Sequence, residues 1–417
     1  MQELLFLCHR LPYPPNKGDK IRSYHLLRYL AEKYHVHLGT FVDDPMDWVH
    51  VPAVKALCAE TCIRPLRPGL ARIRSLAAFG QLMPLTAAYY RDKLMQRWVD
   101  GIISNGKVMI ALAFSSGMAP FLMQADRVRR IMDFVDVDSD KWRQYAGSHK
   151  GLARMVYHRE ANYLADYERQ IATKFDACIF VSGSEARFFG NQVPALASKI
   201  HGIPNGVDTE YWDPARDYPN PYGKGERTIV FVGAMDYWSN IEGAQWFAQD
   251  VWARIHRMIP DARFYIVGSK PSRAVRNLAS IDGIVVTGSV KDVRPYVVHA
   301  HAVVAPLRIA RGIQNKVLEA LAMAKVLLAT PQAYEGIENF TERQGCISDS
   351  TEVLANEALR WLAEPTPAKV PAVRKQLLST YNWQQTFARY DAVLGNSAVS
   401  DSELKRSAVS PVREAFP

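Results

Sequence analysis

The chain of 417 residues lacks the features that define disulfide-rich, membrane-spanning and secreted proteins. It has five cysteines, which are too few and too irregularly spaced for a disulfide framework or a paired metal-binding motif. Its apolar runs are far shorter than the ~20 residues that a membrane-spanning helix needs. It also shows no basic leader followed by an apolar segment and a cleavage site. We therefore expect a cytoplasmic protein with reduced thiols and no cysteine-bound metal.

Length and composition predict a globular protein of two domains. Apolar residues make up 48% of the chain and charged residues 22%, which is typical of globular proteins. A chain of 417 residues is too long for one ordinary hydrophobic core.

Positive charge is concentrated in the first half of the chain. Residues 1–200 hold 27 lysines and arginines against 19 aspartates and glutamates, whereas residues 201–417 hold 24 against 23. A basic surface attracts anionic membranes, phosphorylated lipids or nucleic acids, and a merely soluble basic surface is the alternative. The basic segment 64–76, with its interleaved apolar residues, could lie on a membrane or be a solvated connection. Nucleic acid is disfavoured as a partner, because the chain has no recognition motif and no run of aromatic and basic residues.

Two series of alternating strands and helices follow one another. The first predicts strands at residues 3–9, 35–41, 108–114, 130–134 and 177–181, with helices at 21–33 and 152–174. The second predicts strands at residues 228–233, 263–267, 284–287, 302–306 and 326–329, with helices at 241–258, 293–300 and 314–324. This alternation is typical of parallel sheets with helices on both faces. Because ligands bind at the carboxyl ends of such strands, two facing sheets would create one cleft.

A segment rich in proline and glycine separates the two series. Residues 203–225 contain four prolines and three glycines, a density that marks a connection between domains. We expect Rossmann-like domains at 1–202 and 228–377, joined by a connection at 203–227. A final helix within 378–395 could return to the N-terminal domain, and the polar, serine-rich residues 396–417 are expected to be flexible.

The most informative site signal lies in residues 301–330. A predicted strand feeds a polar loop that ends at Asn315, and a helix then begins with Lys316 and Glu319 on one face. The start of a helix has unpaired N–H groups and partial positive charge, which favour phosphate. The lysine could neutralise phosphate and the glutamate could accept from ribose hydroxyls, so the pair could grip a nucleoside diphosphate. A solvated ion pair on the helix surface is the alternative.

Loops after other predicted strands could face the same cleft. In the loop PYPPNKGDKIRS, Gly18 permits close backbone approach to a ligand, and Lys17, Lys20 and Arg22 lie around it. The spacing is not that of a P-loop, and a rigid turn with exposed cations is the alternative. In the second series the backbone could approach a phosphate or sugar at Gly233 and the base near Val290.

Four acids lie at and directly after the end of the predicted strand at 130–134, in the segment MDFVDVDSD. They are Asp133, Asp136, Asp138 and Asp140. The glycine and the distal glutamate of a calcium loop are missing. One of these aspartates could position a sugar or acceptor hydroxyl, and a divalent-metal site, helix capping or solvated acids are the alternatives.

The order of four short motifs resembles glycosyltransferase family 4. VSGSE, PNGVD, FVG and the late K-x-x-E helix occur in the order of that family, and the resemblance extends to about residue 395. It implies the GT-B fold, with two Rossmann-like domains facing each other across a cleft, and glycosyl transfer that retains anomeric configuration without a bound metal. The segments PYPPNKGDKIRS, DFVDVDSDKW and RGIQNKVLEALAM look closer still to the sugar transferases associated with the exosortase/PEP-CTERM system of bacterial exopolysaccharide loci.

The resemblance also implies roles for single residues. The second glutamate of the family's Glu-x7-Glu motif binds donor ribose, and Glu319 matches it. The first glutamate, which contacts the donor sugar, is replaced by Arg311, and this guanidinium could hold the leaving diphosphate instead. The family's basic pair after the first strand of the second domain is missing from residues 234–240, so phosphate binding falls to Lys316 and Arg311. The family's cleft histidine is replaced by the acidic group, from which we choose Asp136.

The resemblance therefore implies a retaining, metal-independent glycosyltransferase of the hexosyl type, with a UDP- or GDP-sugar as donor and no bound cofactor. Catalysis is assigned to Lys316, Arg311 and Asp136, and donor binding to Gly18, Lys20, Gly233, Val290, Asn315, Lys316 and Glu319. The expected acceptor is a glycan or lipid-linked molecule held by the N-terminal domain. The protein would act in the cytoplasm, where it could touch the anionic inner face of the plasma membrane. A nucleotide-sugar epimerase of similar fold is the alternative.

Overall fold

The computed structural model describes residues 1–15, 17–77, 83–338, 345–364 and 370–395. These residues form two α/β domains, each built on one parallel sheet. None of their helices combines the length and the apolar character that a membrane crossing requires. The expected flexible tail at 396–417 lies outside the described residues.

The first sheet has seven described strands, all paired in parallel, in the order β3-β2-β1-β4-β5-β6-β7. They are β1 (Gln2–Cys8), β2 (Tyr34–Val42), β3 (Glu60–Pro65), β4 (Val108–Phe114), β5 (Arg129–Val135), β6 (Ala177–Phe180) and β7 (Ile200–Gly202). Strand β1 is apolar and fully buried from residue 4 to residue 8, because helices cover both faces of the sheet.

Eight described α-helices surround this sheet. They are α1 (Gly18–Lys33), α2 (Val51–Lys55), α3 (Pro68–Ala77), α4 (Leu85–Tyr89), α5 (Lys93–Ser104), α6 (Asp138–Ser148), α7 (Gly151–Lys174) and α8 (Gly183–Gly190). Helix α1 begins directly after the loop that follows β1, and α6 begins after β5. Both helix starts therefore lie at the edge where the parallel strands end.

The second sheet has six described strands, also parallel, in the order β10-β9-β8-β11-β12-β13. They are β8 (Arg227–Val232), β9 (Ala262–Val267), β10 (Ile284–Gly288), β11 (Ala302–Ala305), β12 (Leu327–Ala329) and β13 (Gly345–Ile347). Its order, like that of the first sheet, reverses beside the first strand of the domain, so both sheets are doubly wound.

The helices of the second half include one with a π-helical middle. Helix α9 (Trp238–Trp246) runs through the π-helical residues Phe247–Trp252 into α10 (Ala253–Met258). The others are α11 (Arg273–Asn277), α12 (Arg294–His299), α13 (Asn315–Ala322), α14 (Pro331–Tyr334), α15 (Thr351–Leu362), α16 (Pro371–Thr380) and α17 (Trp383–Leu394).

The last helix packs on the first domain. The rings of Tyr29 on α1 and Phe387 on α17 stack with centroids 4.1 Å apart. Close by, Lys33 Nζ lies 2.6 Å from Asp391 Oδ2. The chain thus crosses from the second domain back to the first, and α17 forms a second contact between the two domains, at α1.

The two parallel α/β sheets confirm the predicted architecture, and the differences are local. The basic segment at 64–76 is split, since β3 ends at Pro65 and α3 begins at Pro68. Strands β3, β7 and β13 were not predicted because they are edge strands whose residues are partly buried or exposed. An edge strand can be more polar than a central one, so its sequence resembles a loop.

Candidate active site

The start of helix α13 brings together residues from two strand–helix loops of the second domain. Its buried face holds Val317, Leu318 and Leu321, which directs Lys316 and Glu319 toward the edge of the sheet. The ammonium of Lys316 donates to Asn240 Oδ1 at 2.5 Å and lies 4.9 Å from the centre of the Phe231 ring. The cation from α13 therefore occupies the loop after β8, where residues 234–240 themselves have none.

Burial moves both charges of this pair toward neutrality. It lowers the pKa of Lys316 to about 8, although the negative charge of Glu319 acts in the opposite direction. It likewise raises the pKa of Glu319 to about 7, against the positive charge of Lys316. No hydrogen bond within the described residues reaches the Glu319 carboxylate, so its oxygens are available to a ligand.

Glycines let the backbone close up beneath Lys316. A Cβ atom on Gly233 would lie 3.3 Å from Lys316 Nζ, and a Cβ on Gly268 would collide with the Gly233 carbonyl oxygen. Gly268 also has φ +157°, a conformation that glycine adopts most readily. Gly268 thus requires glycine for steric reasons, whereas a Cβ on Gly233 would meet only the ends of the Asn240 and Lys316 side chains. Val290, beyond β10, packs its side chain against the hydrophobic core of the domain.

The two domains meet at Asp136, directly after β5. Val135 has φ +70°, a strained conformation for a β-branched residue that is typical of functional sites. This turn directs Asp136 at the loop before α13, where a Cβ on Gly312 would collide with its Oδ1. Burial raises the pKa of Asp136 to about 6, and Lys141, 3.8 Å away, opposes that rise.

Arg311 joins the same two domains through carboxylates. Its Nε donates to Asp140 Oδ2 at 2.7 Å and its Nη1 to Glu335 Oε1 at 3.0 Å, while Glu185 Oε1 lies 3.6 Å away. These N–H groups are directed at carboxylates in this conformation, so the assignment of Arg311 to the leaving diphosphate stays a prediction.

The residues predicted in the first loop separate into two groups. Gly18 begins α1, and a Cβ there would lie 3.5 Å from Asn315 Nδ2 in the other domain, so these two predicted residues meet across the cleft. Lys20, in contrast, is buried and places its Nζ 2.6 Å from Asp47 Oδ2. That ion pair uses the charge of Lys20 within the first domain, and its donor-binding role stays a prediction.

The structure adds residues that the sequence did not single out. His9, at the end of β1, lies with its Nε2 3.2 Å from Asp19 Oδ2, and Arg10 Nη1 donates to the same oxygen at 3.0 Å. Burial would lower the pKa of His9, but the hydrogen bond with Asp19 raises it to about 9. The only signal in the sequence is a histidine directly after the first strand. Asn240 was overlooked because its partner Lys316 is 76 residues away in the chain.

A cavity of about 500 Å³ opens beside Arg311, between α6 of the first domain and α14 of the second. Its polar lining consists of Gln144, Arg308, Arg311, Gln332 and Glu335. Amide, guanidinium and carboxylate groups of this kind suit a hydroxyl-rich ligand. Across the part of the chain that is described, no three histidine, cysteine or acidic side chains are arranged to hold a metal ion.

Comparison with known sequences finds a family match within the second domain. Residues 226–364 match the family described as Glycosyl transferases group 1. This segment contains β8, α13 and the Lys316–Glu319 pair. No curated protein matches the sequence of the chain.

Solved structures resemble the chain over nearly its whole length. Anabaena HepE in complex with UDP and glucose has 13% identity and a TM-score of 0.65, with 95% of this chain and 100% of that chain covered. WaaG, a glycosyltransferase involved in lipopolysaccharide biosynthesis, has 14% identity and a TM-score of 0.64, with 94% and 100% covered. A glycosyltransferase from Rickettsia africae has 14% identity and a TM-score of 0.62, with 95% and 99% covered. These similarities confirm the predicted GT-B fold, and the matched segment is similar to group 1 glycosyl transferases.

Proposed function

We propose that this chain is a retaining glycosyltransferase that moves a hexosyl group from a nucleoside diphosphate sugar to a glycan or lipid-linked acceptor. The observation that carries the proposal is the under-partnered pair of Lys316 and Glu319 at the start of α13. The carboxylate of Glu319 accepts from the ribose hydroxyls, and the ammonium of Lys316, beside Gly233, neutralises the diphosphate. The start of α13 adds its unpaired backbone N–H groups.

Lys316 also serves the chemical step. As the bond between the sugar and the diphosphate breaks, negative charge builds on the leaving phosphate oxygen. A preorganised ammonium next to that oxygen stabilises the charge in the transition state more than in the ground state. Its pKa of about 8 keeps Lys316 mostly protonated at neutral pH. The acceptor hydroxyl attacks the anomeric carbon from the face that the leaving group vacates and gives its proton to the departing phosphate oxygen, so configuration is retained without a protein nucleophile.

The acceptor side is assigned to the first domain. Asp136, which faces the second domain at Gly312, orients the acceptor hydroxyl, and the cavity beside Arg311 receives the hydroxyl-rich part of the acceptor. Contact between the two domains excludes water, which would otherwise hydrolyse the donor.

UDP is the proposed nucleotide, because structures of similar fold are described as complexes with UDP or UDP-glucose. The proposed role in exopolysaccharide assembly, with its exosortase-associated relatives, rests on the resemblance of the three longer motifs. The proposed site of action is the cytoplasmic face of the membrane, where the basic first half of the chain would meet anionic lipid.

A nucleotide-binding experiment tests the proposal. A thermal-shift screen over nucleoside diphosphates and their sugars should select UDP, because a ligand that binds the folded state raises its stability. The wild type should bind UDP roughly tenfold more tightly than 2′-deoxy-UDP, since Glu319 loses one ribose hydroxyl. Glu319→Ala should weaken UDP binding and remove this discrimination.

Two outcomes would overturn the proposal. Equal discrimination by the wild type and Glu319→Ala would remove Glu319 from the ribose site. Formation of an isomeric nucleotide sugar from the donor alone, without any acceptor, would identify an epimerase instead.

A further inference from the structure

A buried set of hydrogen bonds connects the first domain to the first residue of α13. Arg22 is 1% exposed and donates from Nε to Asp133 Oδ2 at 2.9 Å. Its Nη1 donates to the Ile203 carbonyl oxygen and to Asn205 Oδ1, each at 2.9 Å. Asn205 lies in the connection between the domains and donates from Nδ2 to Asn315 Oδ1 at 2.9 Å. The set thus passes from one domain through the connection into the other.

The charge of Arg22 dictates how both amides are oriented. A guanidinium has donors only, so the group that Asn205 presents to it must be the carbonyl oxygen. The NH₂ group of Asn205 is then directed at Asn315, which must present its own carbonyl oxygen in return. The NH₂ group of Asn315 is therefore turned to the opposite side, toward Gly18. One buried cation sets the direction of two successive amides.

The NH₂ group of Asn315 lies between the starts of two helices. Gly18 is the first residue of α1 and Asn315 the first residue of α13, so two helix starts face each other across the cleft. Lys316 follows Asn315 directly in the chain and adds a cation from the second domain. Donor groups converge on this point from both domains, as an anionic ligand requires.

We infer that Arg22 and Asn205 are positioning residues for the donor diphosphate, acting through the NH₂ group of Asn315. This inference rests on the proposed function, since it assumes that a nucleoside diphosphate occupies the cleft. It assigns to Asn205 a role in ligand affinity, although Asn205 is 4% exposed and need not touch the ligand. Tyr390 of α17 donates to Asp133, so the last helix supports the same set.

The substitution Asn205→Asp should reverse the orientation of the Asn315 amide. Aspartate has nearly the same shape as asparagine but has no N–H group to donate. The new carboxylate still accepts from Arg22, but it cannot donate to Asn315. Asn315 must then turn its NH₂ group toward that carboxylate and its carbonyl oxygen toward the diphosphate. We expect the Kd for UDP to rise roughly tenfold or more, because a hydrogen bond to a charged group is lost and an acceptor now faces phosphate. The Kd for uridine, which has no phosphate, should stay within about twofold of the wild-type value.

A double-mutant cycle separates this mechanism from a general loss of structure. In the background Asn315→Ala there is no amide to reverse, so Asn205→Asp should change the Kd for UDP by less than about twofold. Asn162→Asp, at an exposed position of α7, makes the same change in net charge and should leave the Kd for UDP unaltered.

Distinct outcomes overturn distinct claims. A wild type that binds neither UDP nor GDP would overturn the proposed function and this inference with it. If the wild type binds UDP and Asn205→Asp binds it equally well, the positioning role is wrong while the proposed function stands. Equal loss of UDP and uridine affinity, or the same loss in the Asn315→Ala background, would mean that Asn205 acts by structure or charge and would overturn the inference.

Discussion

Two pairs of opposite charge lie at the carboxyl ends of the two sheets, the first buried and the second half-buried, and they differ in how many hydrogen-bond partners they have. In the first domain, Asp133 accepts from Arg22, from the backbone N–H of Val135 at 3.1 Å and from Tyr390. In the second domain, Lys316 has Asn240 as its hydrogen-bond partner, and the Glu319 carboxylate has none among the described residues. The first pair is saturated by protein groups, whereas the second is not.

The difference separates a structural charge pair from a binding one. A buried pair whose remaining lone pairs and protons are all satisfied is costly to break, because removing one partner leaves an uncompensated charge. A pair with unused hydrogen-bonding capacity is held at a cost in stability, which a ligand can relieve by supplying the missing partners. The raised pKa of Glu319 and the lowered pKa of Lys316 are two expressions of that cost.

The largest expected effect concerns the saturated pair. Asp133→Asn should lower the free energy of unfolding by about 3–5 kcal/mol, because the charge of Arg22 stays buried without its carboxylate. Urea denaturation followed by circular dichroism measures this. Asp126→Asn is the matched control, since this carboxylate is 79% exposed in its ion pair with Arg130 and should change stability by less than about 1 kcal/mol. Equal midpoints for the two variants would contradict the structural role of Asp133.

Substitution in the Lys316–Glu319 pair should change the affinity for UDP and not the stability of the fold. Lys316→Met should raise the Kd for UDP by about 100-fold, because the diphosphate loses a partly buried ammonium. The melting temperature should not fall, since Lys316 is already disfavoured as a charge. Isothermal titration calorimetry measures the affinity, with Lys224→Met, at an exposed position of the connection, as the control. A Lys316→Met protein that binds UDP normally would show that the phosphates lie elsewhere.

The affinity for the donor should follow a bell-shaped pH profile with its maximum between about pH 7 and pH 8. Below this range Glu319, whose pKa is about 7, takes up a proton and loses its carboxylate. Above it Lys316, whose pKa is about 8, loses the charge that attracts the diphosphate. UDP-glucose is the suitable ligand, because its diphosphate does not titrate in this range. If the affinity of Glu319→Gln no longer falls below about pH 7, the role of Glu319 is supported. A wild-type affinity that does not change with pH would refute both roles.

The smallest expected effect is on the stability of the ligand-free protein. Ionised Glu319 costs stability at and above its raised pKa of about 7, and protonated Lys316 costs stability at and below its lowered pKa of about 8. Both costs are therefore present between pH 7 and pH 8. The double variant Lys316→Met/Glu319→Gln keeps the net charge and should melt about 1–3 °C above the wild type there. If differential scanning calorimetry gives a lower melting temperature for the double variant than for the wild type, Lys316 and Glu319 stabilise the fold as Arg22 and Asp133 do.

Much of the fold could be predicted because its signals are local. Central strands such as β1 and β4 are buried on both faces and appear as continuous apolar runs, so periodicity and composition are enough to find them. The edge strands β7 and β13 have three residues each, which is too short for a pattern. Lys316 and Glu319 could also be selected in advance, since residues three apart share a face of a helix.

The partners of the charged side chains could not be predicted from local sequence patterns. Asp133 and Asp136 lie in the same short acidic segment. Asp133 accepts a hydrogen bond from Arg22, 111 residues away in the chain, whereas Asp136 faces Gly312. Lys20 was selected as a cation near the cleft, and no local pattern indicates that its Nζ lies 2.6 Å from Asp47 Oδ2.

Local composition and spacing thus account for the two parallel sheets and for the pair on α13, because those signals arise from neighbouring residues. Which charges are saturated and which are left for a ligand depends on contacts between residues far apart in the chain, across the sheets and across the cleft. Such contacts exist only once the sheets are formed and the domains have met, and the sequence has no local pattern that encodes them.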